Sequence, residues 1–279
     1  MASVPSSNSR PILITGGTGK TGRRVAGLLS NAGHAVRIGS RNAARAFDWT
    51  QPATWQRALE GVGSVYLAYQ PDLAVPGALD TIAEFLAEVR RAGVEHVALL
   101  SGRGEAEAEQ AEGMLVGSGL EWTILRASWF MQNFSESFFA DGIAQGQLIV
   151  PNSLAPEPFT DADDIAEAAA RSLTDRRHRG RLYELTGPEA LTFAQAGARI
   201  ASVTGRPIDV IEVPLGDYLA GLEAHGVPDD ATWLIGYLFS TVLDGRNTAL
   251  ATGVEEACGR PPSTIEEFAE RAVAARAWQ

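Results

Sequence analysis

Three glycines at three-residue intervals are the residues whose spacing most directly suggests chemistry. Gly16, Gly19 and Gly22 follow a short β-branched segment at residues 12–15 and precede apolar residues at helical spacing between residues 23 and 31. Glycine lets the backbone turn tightly and approach a pyrophosphate, and the N-terminus of the following helix favours its negative charge. The pattern predicts a turn between a strand and a helix that binds a dinucleotide.

The residues after the second predicted strand indicate which dinucleotide binds. A protein that prefers NAD usually has Asp or Glu there to hold the ribose hydroxyls, and residues 38–42 contain neither. Arg41 can instead place its planar guanidinium on a 2′-phosphate, a contact worth about 1.5–3 kcal/mol. Lys20, the only lysine in the chain, is expected to add positive charge beside it. We therefore predict NADP(H), with a solvated role for Arg41 as the alternative. A nucleoside-triphosphate loop is excluded because Ile14 stands where that motif needs glycine.

Strand and helix patterns alternate along the chain, and these elements must position the glycine turn. Strands are predicted at residues 12–15, 35–39, 64–68, 95–100, 122–125 and 181–185, and helices at residues 23–31, 52–60, 74–92, 105–118, 161–173 and 193–204, with a mostly helical remainder. Such alternation is typical of a parallel sheet covered by helices. The predicted fold class is α/β, a Rossmann-type doubly wound parallel sheet with a smaller, mostly helical substrate lobe.

This fold predicts a division of the chain into two interwoven parts. Residues 1–10 are expected to form a flexible tail, residues 11–126 and 158–186 the NADP(H)-binding Rossmann domain, and residues 127–157 and 187–279 the substrate lobe. No internal repeat or Pro-rich linker separates the two. The sequence leaves the oligomeric state open.

Charge and cysteine content indicate the cellular compartment of the protein and exclude some classes of partner. A formal net charge of -11 would repel phosphate backbones and anionic lipid, so we expect neither a nucleic-acid nor a membrane partner. A single cysteine, Cys258, excludes an intrachain disulfide and points to a reducing cytoplasm. The Ser-rich start lacks an apolar run and resembles neither a signal peptide nor a membrane span. These features predict a soluble, cytoplasmic protein with a small-molecule ligand.

Motifs spread along nearly the whole chain resemble the NmrA-like branch of the atypical short-chain dehydrogenases, which includes NADPH-dependent quinone and azo-dye reductase-like proteins and redox-sensing regulators. The segments that carry the likeness are residues 12–24, Asp48-Trp49, Thr54-Trp55, Tyr69-Gln70-Pro71, 118–126, 129–134, Asp164-Ile165-Ala166, 185–192 and 204–207. Arg126 is usually followed by Pro in the family, whereas Ala127 stands here. That departure is expected to reshape the mouth of the substrate pocket.

The resemblance implies a set of cofactor-binding residues. It places NADP(H) on Gly16, Thr18, Gly19, Lys20, Thr21, Gly22 and Arg41, with Asp48 near the adenine and Ala68, Tyr69 and Gln70 near the nicotinamide half.

The proton donor of ordinary short-chain dehydrogenases is missing. Those enzymes use a Tyr whose pKa is lowered by a Lys four residues later, and here the five tyrosines are followed at that spacing by Gln70, Leu73, Gly187, Leu222 and Thr241. Hydride must therefore go to an acceptor that needs little acid help, or another group must supply the proton. Quinones meet the first condition because the oxyanion formed is delocalised.

Candidate catalytic residues follow the fourth predicted strand and the aromatic segment. Ser101 is placed to hydrogen-bond a substrate carbonyl, with a helix cap as its alternative. Gln132 is predicted to orient a flat substrate, and Tyr69 is the tyrosine placed to act as an acid. Trp129, Phe130, Asn133 and Phe134 are predicted to line the substrate pocket, with a core position as the alternative.

The remaining polar clusters are interpreted as structural. Asp161, Asp163 and Asp164 are expected to cap a helix, the four histidines show no metal spacing, and no metal site is predicted. The glutamates at positions 105, 107, 109 and 112 are expected to form a solvated helix face from which Glu112 alone points inward.

These observations predict an NADPH-dependent oxidoreductase for an aromatic or quinone-like small molecule. The Ala- and Arg-rich, nearly Lys-free composition resembles that of actinomycete proteins, in which members of this family tailor aromatic polyketides. One alternative is a redox sensor that binds NADP(H) without turnover. Another is a pathway enzyme that works with a flavin-dependent partner in ring oxygenation.

Overall fold

A sheet of six parallel strands, in the order β2-β1-β3-β4-β5-β7, forms the centre of the computed structural model. The model describes residues 10–137, 139–151 and 154–279. The strands are β1 (Ile12–Thr15), β2 (Val36–Gly39), β3 (Ser64–Leu67), β4 (His96–Gly102), β5 (Glu121–Ala127), β6 (Gln147–Val150), β7 (Arg181–Leu185) and β8 (Asp209–Glu212). The predicted α/β class and parallel sheet are confirmed.

Helices cover both faces of the sheet. They are α1 (Lys20–Asn31), α2 (Trp55–Leu59), α3 (Ala78–Arg91), α4 (Ala106–Gly117), α5 (Ala140–Ala144), α6 (Ala162–Thr174), α7 (Phe193–Thr204), α8 (Leu215–Ala224), α9 (Asp229–Tyr237), α10 (Gly253–Cys258) and α11 (Ile265–Ala274). Short 3-10 turns occur at Pro52–Thr54, Met131–Phe134 and Arg176–His178, and a π-helical turn at Leu238–Val242 follows α9. None of the helices in the described part of the chain combines the length and apolar composition needed to cross a bilayer.

The strand order reverses at β1, and this reversal positions the site. Ile12 of β1 is opposite Val36 of β2 on one side and opposite Ser64 of β3 on the other. The chain thus leaves β1 toward one edge of the sheet and returns to build the other half. In open parallel sheets a crevice forms at such a switch point, outside the carboxyl ends of the strands.

Two apolar cores hold the helices against the sheet. The strands are short apolar runs buried on both faces, such as the fully buried Leu13 and Ile14 of β1. One core packs α1, α6 and α10 on the sheet through residues such as Val25 and Ile165. The other packs α2, α3 and α4 through residues such as Phe85.

A third core lies around a second, two-stranded sheet that the sequence did not predict. Strands β6 and β8 pair in parallel, with Gln147 opposite Asp209. The lobe is mostly helical, as predicted, but these two strands were missed. In β8 three of the four residues are exposed, so no buried apolar run marks it in the sequence. Phe193 and Phe268 pack in this core. Helix α10 packs instead with the first core, and the predicted division into two domains stays a proposal.

The acidic cluster before α6 caps that helix, as predicted. The Asp161 carboxylate accepts a hydrogen bond of 2.8 Å from the Asp163 backbone N–H. Asp164 accepts one of 2.8 Å from the Ser263 backbone N–H and forms an ion pair with Arg260. These contacts tie α6 to the C-terminal part of the chain.

Candidate active site

The glycine turn leaves the N-terminus of α1 open to an anion. Gly16 has a positive φ of 59°, and Gly19 closes the turn by donating a 2.8 Å hydrogen bond to the Gly16 carbonyl oxygen. A Cβ at Gly22 would overlap that same carbonyl oxygen. Gly19 is the N-cap residue, and no side chain of the described residues caps α1. The first N–H groups of α1 are therefore available to a phosphate.

One cavity of about 510 Å³ opens beside this turn, at the carboxyl ends of β1, β3, β4 and β5. This volume lies within the range of small-molecule pockets. Predicted residues that line it are Gly16, Gly19, Lys20, Thr21, Ala68, Tyr69, Gln70, Ser101, Trp129, Phe130 and Asn133. Predicted residues that are not among its lining residues are Thr18, Gly22, Arg41, Asp48, Gln132 and Phe134. The structure thus brings the glycine turn together with part of the aromatic segment.

Lys20 faces this cavity, which differs from its predicted place beside Arg41. Its Nζ donates a 2.6 Å hydrogen bond to Asn133 Oδ1, and the charges that act on it are those of Glu136, Arg23 and Arg24. Burial lowers the pKa of Lys20 to about 8. The side chain turns this way because Asn133 offers it an acceptor on the adjoining wall.

Arg41 and Asp48 lie together outside the cavity. Arg41 is exposed, and its guanidinium makes neither a hydrogen bond nor a close ion pair within the described ranges. Asp48 accepts hydrogen bonds of 2.9 Å from both the backbone N–H and the hydroxyl of Thr50, which together with the positive charge of Arg41 lower its pKa. Arg41 is thus a cation free to accept a phosphate.

Ser101 lines the cavity, but its proton is directed away from it. The buried Ser101 Oγ donates a 2.6 Å hydrogen bond to Glu112 Oε1, which also accepts one of 2.9 Å from Arg126 Nε. Glu112 is 4% exposed, as its predicted inward position requires. With this hydrogen committed, Ser101 presents lone pairs to the cavity and is a poor partner for a developing oxyanion. The alternative prediction of a helix cap also differs, because Glu105 is the N-cap residue of α4.

Gln132 and Phe134 serve the packing of the polypeptide. Gln132 Nε2 donates a 2.8 Å hydrogen bond to Asp161 Oδ1, and its Oε1 accepts one of 2.7 Å from the Ala162 backbone N–H. Phe134 is fully buried and packs at 5.3 Å between ring centroids from Phe159. Because both side chains are engaged in these contacts, neither is available to bind a substrate in the cavity.

An aromatic wall closes the cavity opposite to solvent. Trp129 is 9% exposed and packs 5.5 Å from Phe239 between ring centroids. Its Nε1 is buried and has no hydrogen-bond partner among the described residues. A buried N–H without a partner costs stability unless a ligand or water satisfies it. Apolar side chains of the segment at residues 234–242 line the same cavity; they are Leu234, Leu238 and Val242.

Four of the five tyrosines lack the environment of a general acid. Burial raises the pKa of Tyr66 and Tyr183, and it raises the pKa of Tyr218 to about 12. Tyr237 donates a 2.8 Å hydrogen bond to Glu107 Oε2 and also has a raised pKa because of burial and that carboxylate. Tyr69 is the tyrosine that lines the cavity, where its ring lies 4.9 Å from that of Trp49.

Two acidic residues at the cavity were missed from the sequence. Asp72 and Glu105 both line it, and Glu105 is only 7% exposed, so the predicted solvated face is wrong at this residue. Both follow the carboxyl ends of neighbouring strands, β3 and β4. That position is the signal that could have identified them, because ligands bind at this edge of a parallel sheet.

Comparisons with known proteins agree with this geometry. Residues 16–176 match a family described as NAD(P)H-binding. The chain is 33% identical to an uncharacterized oxidoreductase, YesF, of Bacillus subtilis over 93% of this chain and 94% of that protein. It is 28% identical to the NAD(P)H azoreductase of Xenophilus azovorans over 95% and 98% of the two chains. The crystal structure of NADPH-dependent quinone oxidoreductase QOR2 from Escherichia coli, complexed with NADPH, matches with a TM-score of 0.75 at 23% identity, over 94% and 99% of the chains.

The chain therefore belongs to the NAD(P)H-binding family, and its likeness to the azoreductase supports the predicted NmrA-like branch. It is an NAD(P)H-dependent oxidoreductase. The open N-terminus of α1 and the glycine turn fit that cofactor. Gly22 leaves room for the tight turn at Gly16, and Gly19 carries no side chain that would cover the first N–H groups of α1.

Proposed function

We propose that the protein transfers hydride from NADPH to a flat aromatic, quinone-like molecule. One observation carries this proposal: a single cavity runs from Gly19 and Lys20 to the aromatic wall at Trp129 and Phe130. A dinucleotide anchored on the glycine turn and a flat acceptor on that wall would share this space. The printed functions of the relatives, an azoreductase and a quinone oxidoreductase, support an aromatic acceptor.

Different residues bind different parts of the cofactor in this proposal. The first N–H groups of α1 bind the pyrophosphate, Arg41 binds the 2′-phosphate with Asp48 near the adenine, and Lys20 holds an anionic group of the cofactor inside the cavity. The nicotinamide half lies along Ala68, Tyr69 and Gln70. When bound, NADPH supplies the hydride. Asn133 fixes Lys20 by its 2.6 Å hydrogen bond and so preorganises that charge.

The acceptor is chosen by shape and by the electronics of its ring. Trp129 and Phe130 offer a rigid apolar surface against which a flat ring can be held near the nicotinamide. We propose tailoring of an aromatic polyketide as the biological role, on the basis of the Ala- and Arg-rich composition. Cytoplasmic location belongs to the same proposal and follows from the single cysteine.

We expect NADPH oxidation with benzoquinones, naphthoquinones or anthraquinones, and no large loss in any single Tyr→Phe variant. Loss of a general acid would lower turnover by about 10²–10⁴-fold. The four tyrosines with raised pKa values are not among the residues that line the cavity, so their variants should stay within about threefold of wild type. A thousandfold collapse of Tyr69→Phe with unchanged NADPH affinity would make Tyr69 the acid. Tight NADPH binding without oxidation by any acceptor would instead favour a sensor or a flavin-dependent partner.

We expect NADPH affinity to weaken as the pH rises through about 8, the pKa of Lys20. Below that pH the ammonium is charged and attracts the cofactor's phosphates, whereas above it the charge must be restored by proton uptake on binding. The dissociation constant should rise by up to about tenfold per pH unit above 8. Calorimetry between pH 7 and 9.5 measures this.

The control variants separate Lys20 from its surroundings. Lys20→Met should bind NADPH weakly at pH 7 and show no such slope. Arg23→Met removes an exposed cation from the same helix and should retain the slope, because Lys20 keeps its neighbour Asn133. An unchanged slope in Lys20→Met would remove Lys20 from the cofactor site.

A further inference from the structure

Two carboxyl groups face each other on the wall of the cofactor cavity. Asp72 follows β3 and Glu105 follows β4, so the pairing of these strands brings the two residues to the same edge of the sheet. Their side chains hydrogen-bond to each other, and Asp72 Oδ1 also accepts a 2.9 Å hydrogen bond from the Ala74 backbone N–H. Two carboxyls can share a hydrogen bond only when one of them is protonated.

The surroundings hold the Glu105 carboxyl in place. It packs directly against Gly102, where a Cβ would overlap it, and the residue is 7% exposed. The Glu105 carboxyl therefore fills the space that Gly102, the last residue of β4, leaves open by having no side chain.

The neighbouring charges favour the protonated form. Burial raises the pKa of both carboxyls, and the negative charge of Asp72 raises the pKa of Glu105 further. Glu107, at the start of α4, adds further negative charge, and Tyr237 of α9 donates a hydrogen bond to Glu107. The pair therefore keeps a proton to higher pH than a solvent-exposed carboxyl does.

The basic residues of the cavity wall are directed elsewhere. Arg103 donates a 2.7 Å hydrogen bond to the Asn247 carbonyl oxygen and lies 3.6 Å from Glu184. Lys20 is held by Asn133. Neither cation offsets the charge of the pair, which is why the pair retains its proton.

The carboxyl pair shares its cavity with the glycine turn and the aromatic wall. Gly19 and Trp129 line the same space as Asp72 and Glu105. A flat acceptor held against the aromatic wall would therefore occupy the cavity that the carboxyl pair lines.

We propose that the Asp72–Glu105 carboxyl pair is the proton donor of this reductase, in the role that Tyr and Lys fill in ordinary short-chain dehydrogenases. This inference rests on the proposed reduction of a neutral carbonyl acceptor. NADPH gives a hydride, two electrons and one proton, to the acceptor and becomes NADP⁺. The acceptor oxygen becomes anionic and takes the proton from the pair's O–H, which leaves both carboxylates ionised. Water returns a proton to the pair, so that each cycle consumes one NADPH and one proton.

The test compares acceptors that need a proton with acceptors that do not. Asp72→Asn and Glu105→Gln keep the shape of each side chain and remove the pair's ability to donate and recover a proton. Turnover at saturating NADPH should fall about 10²-fold with quinones whose reduced anion is strongly basic. The fall should be smaller for quinones whose reduced anion is less basic. A preformed triarylmethyl cation takes hydride without a proton, and its reduction should stay within about twofold of wild type. Glu109→Gln, on the exposed face of α4, is the control and should match wild type with both acceptors.

A second readout concerns the proton itself. A carboxyl whose folded pKa is raised binds more protons in the folded state, so its contribution to stability is lost as the pH rises from about 4 toward the raised pKa. The melting temperature of wild type should therefore fall across this range. The fall in melting temperature should be smaller in Asp72→Asn and Glu105→Gln. Relative to wild type, both variants should therefore be more stable at pH 8 than at pH 4. Wild-type turnover with quinones should fall as the pH rises through the pKa of the pair, and this alkaline fall should disappear in the same variants.

The possible results separate this inference from the proposed function. If wild type reduces quinones and both variants reduce them equally well, the function holds and the proton donor is wrong. An equal loss of turnover with quinones and with the triarylmethyl cation would mean that the pair acts through its negative charge and not as a proton donor, which would overturn the proposal. An alkaline fall in turnover that persists in both variants but vanishes in Lys20→Met would assign the proton to Lys20 and likewise overturn the proposal. Reduction of cations but of no quinone by wild type would overturn both.

Discussion

Replacement of Gly19 by valine is expected to raise the dissociation constant of NADPH by at least about 100-fold, the cost of two lost charge-assisted hydrogen bonds. A valine side chain would stand in front of the α1 N-terminus, where the pyrophosphate would approach the backbone N–H groups. The fold should survive, because Gly19 has φ -79° and ψ -179°, a conformation open to any residue. A Cβ there would lie 3.2 Å from Gln70 Nε2 and from the Gly16 carbonyl oxygen, close contacts that a small shift relieves.

The same helix provides the control for this variant. Gly27 lies in α1, and a Cβ at that position would meet no atom within 4 Å. Gly27→Val carries the same change of side chain inside α1, yet should bind NADPH as wild type does. Calorimetry and circular dichroism on both variants measure affinity and folding. Wild-type affinity in a folded Gly19→Val protein would exclude the glycine turn from the site.

Arg41→Ala is expected to weaken NADPH binding by about 10- to 100-fold, the equivalent of one charge-assisted contact worth about 1.5–3 kcal/mol. Binding of NADH should stay unchanged, because that nucleotide has no 2′-phosphate. The effect should be large because Arg41 is exposed without a close partner in the described chain and need not break an ion pair to bind the phosphate. The variant should therefore show similar affinities for the two nucleotides.

A nearby arginine tests whether general positive charge explains this result. Arg45 is partly exposed and forms a 2.7 Å ion pair with Glu60, so Arg45→Ala removes the same formal charge from the same surface. It should leave the preference for NADPH within about twofold of wild type, since exposed charges at a distance are screened by salt. Wild type that binds both nucleotides equally, or an equal loss in both variants, would contradict the role of Arg41.

The sequence predicts the sheet well because parallel strands leave a strong local signal. Each central strand is a buried apolar run, and the predicted bounds at residues 12–15 and 181–185 coincide with β1 and β7. The short strands β6 and β8 leave no such signal. In β8, three of the four residues are exposed, so alternation of apolar and polar residues is absent.

The direction of polar side chains at the site could not be predicted in the same way. Lys20 turns toward Asn133, which is 113 positions away along the chain. Ser101 and Gln132 find partners in Glu112 and Asp161, which decide whether their polar atoms reach the cavity. Glu105 is followed by alternating alanine and glutamate, a pattern typical of a solvated helix. Its burial comes from tertiary contacts, with Gly102 and with Asp72 in the loop after β3, that this pattern does not show.

The path of the chain between the two sheets limits how acceptor specificity can be exchanged among relatives. The chain leaves the large sheet after β5 to form β6, returns for β7, leaves again for β8, and comes back once more at α10. No single cut therefore separates the part that carries the glycine turn from the part that carries the third core. A chimera that transplants the acceptor-binding part from a homologue must join several segments at once, each in register, and point changes on the cavity wall are the simpler route to a new acceptor.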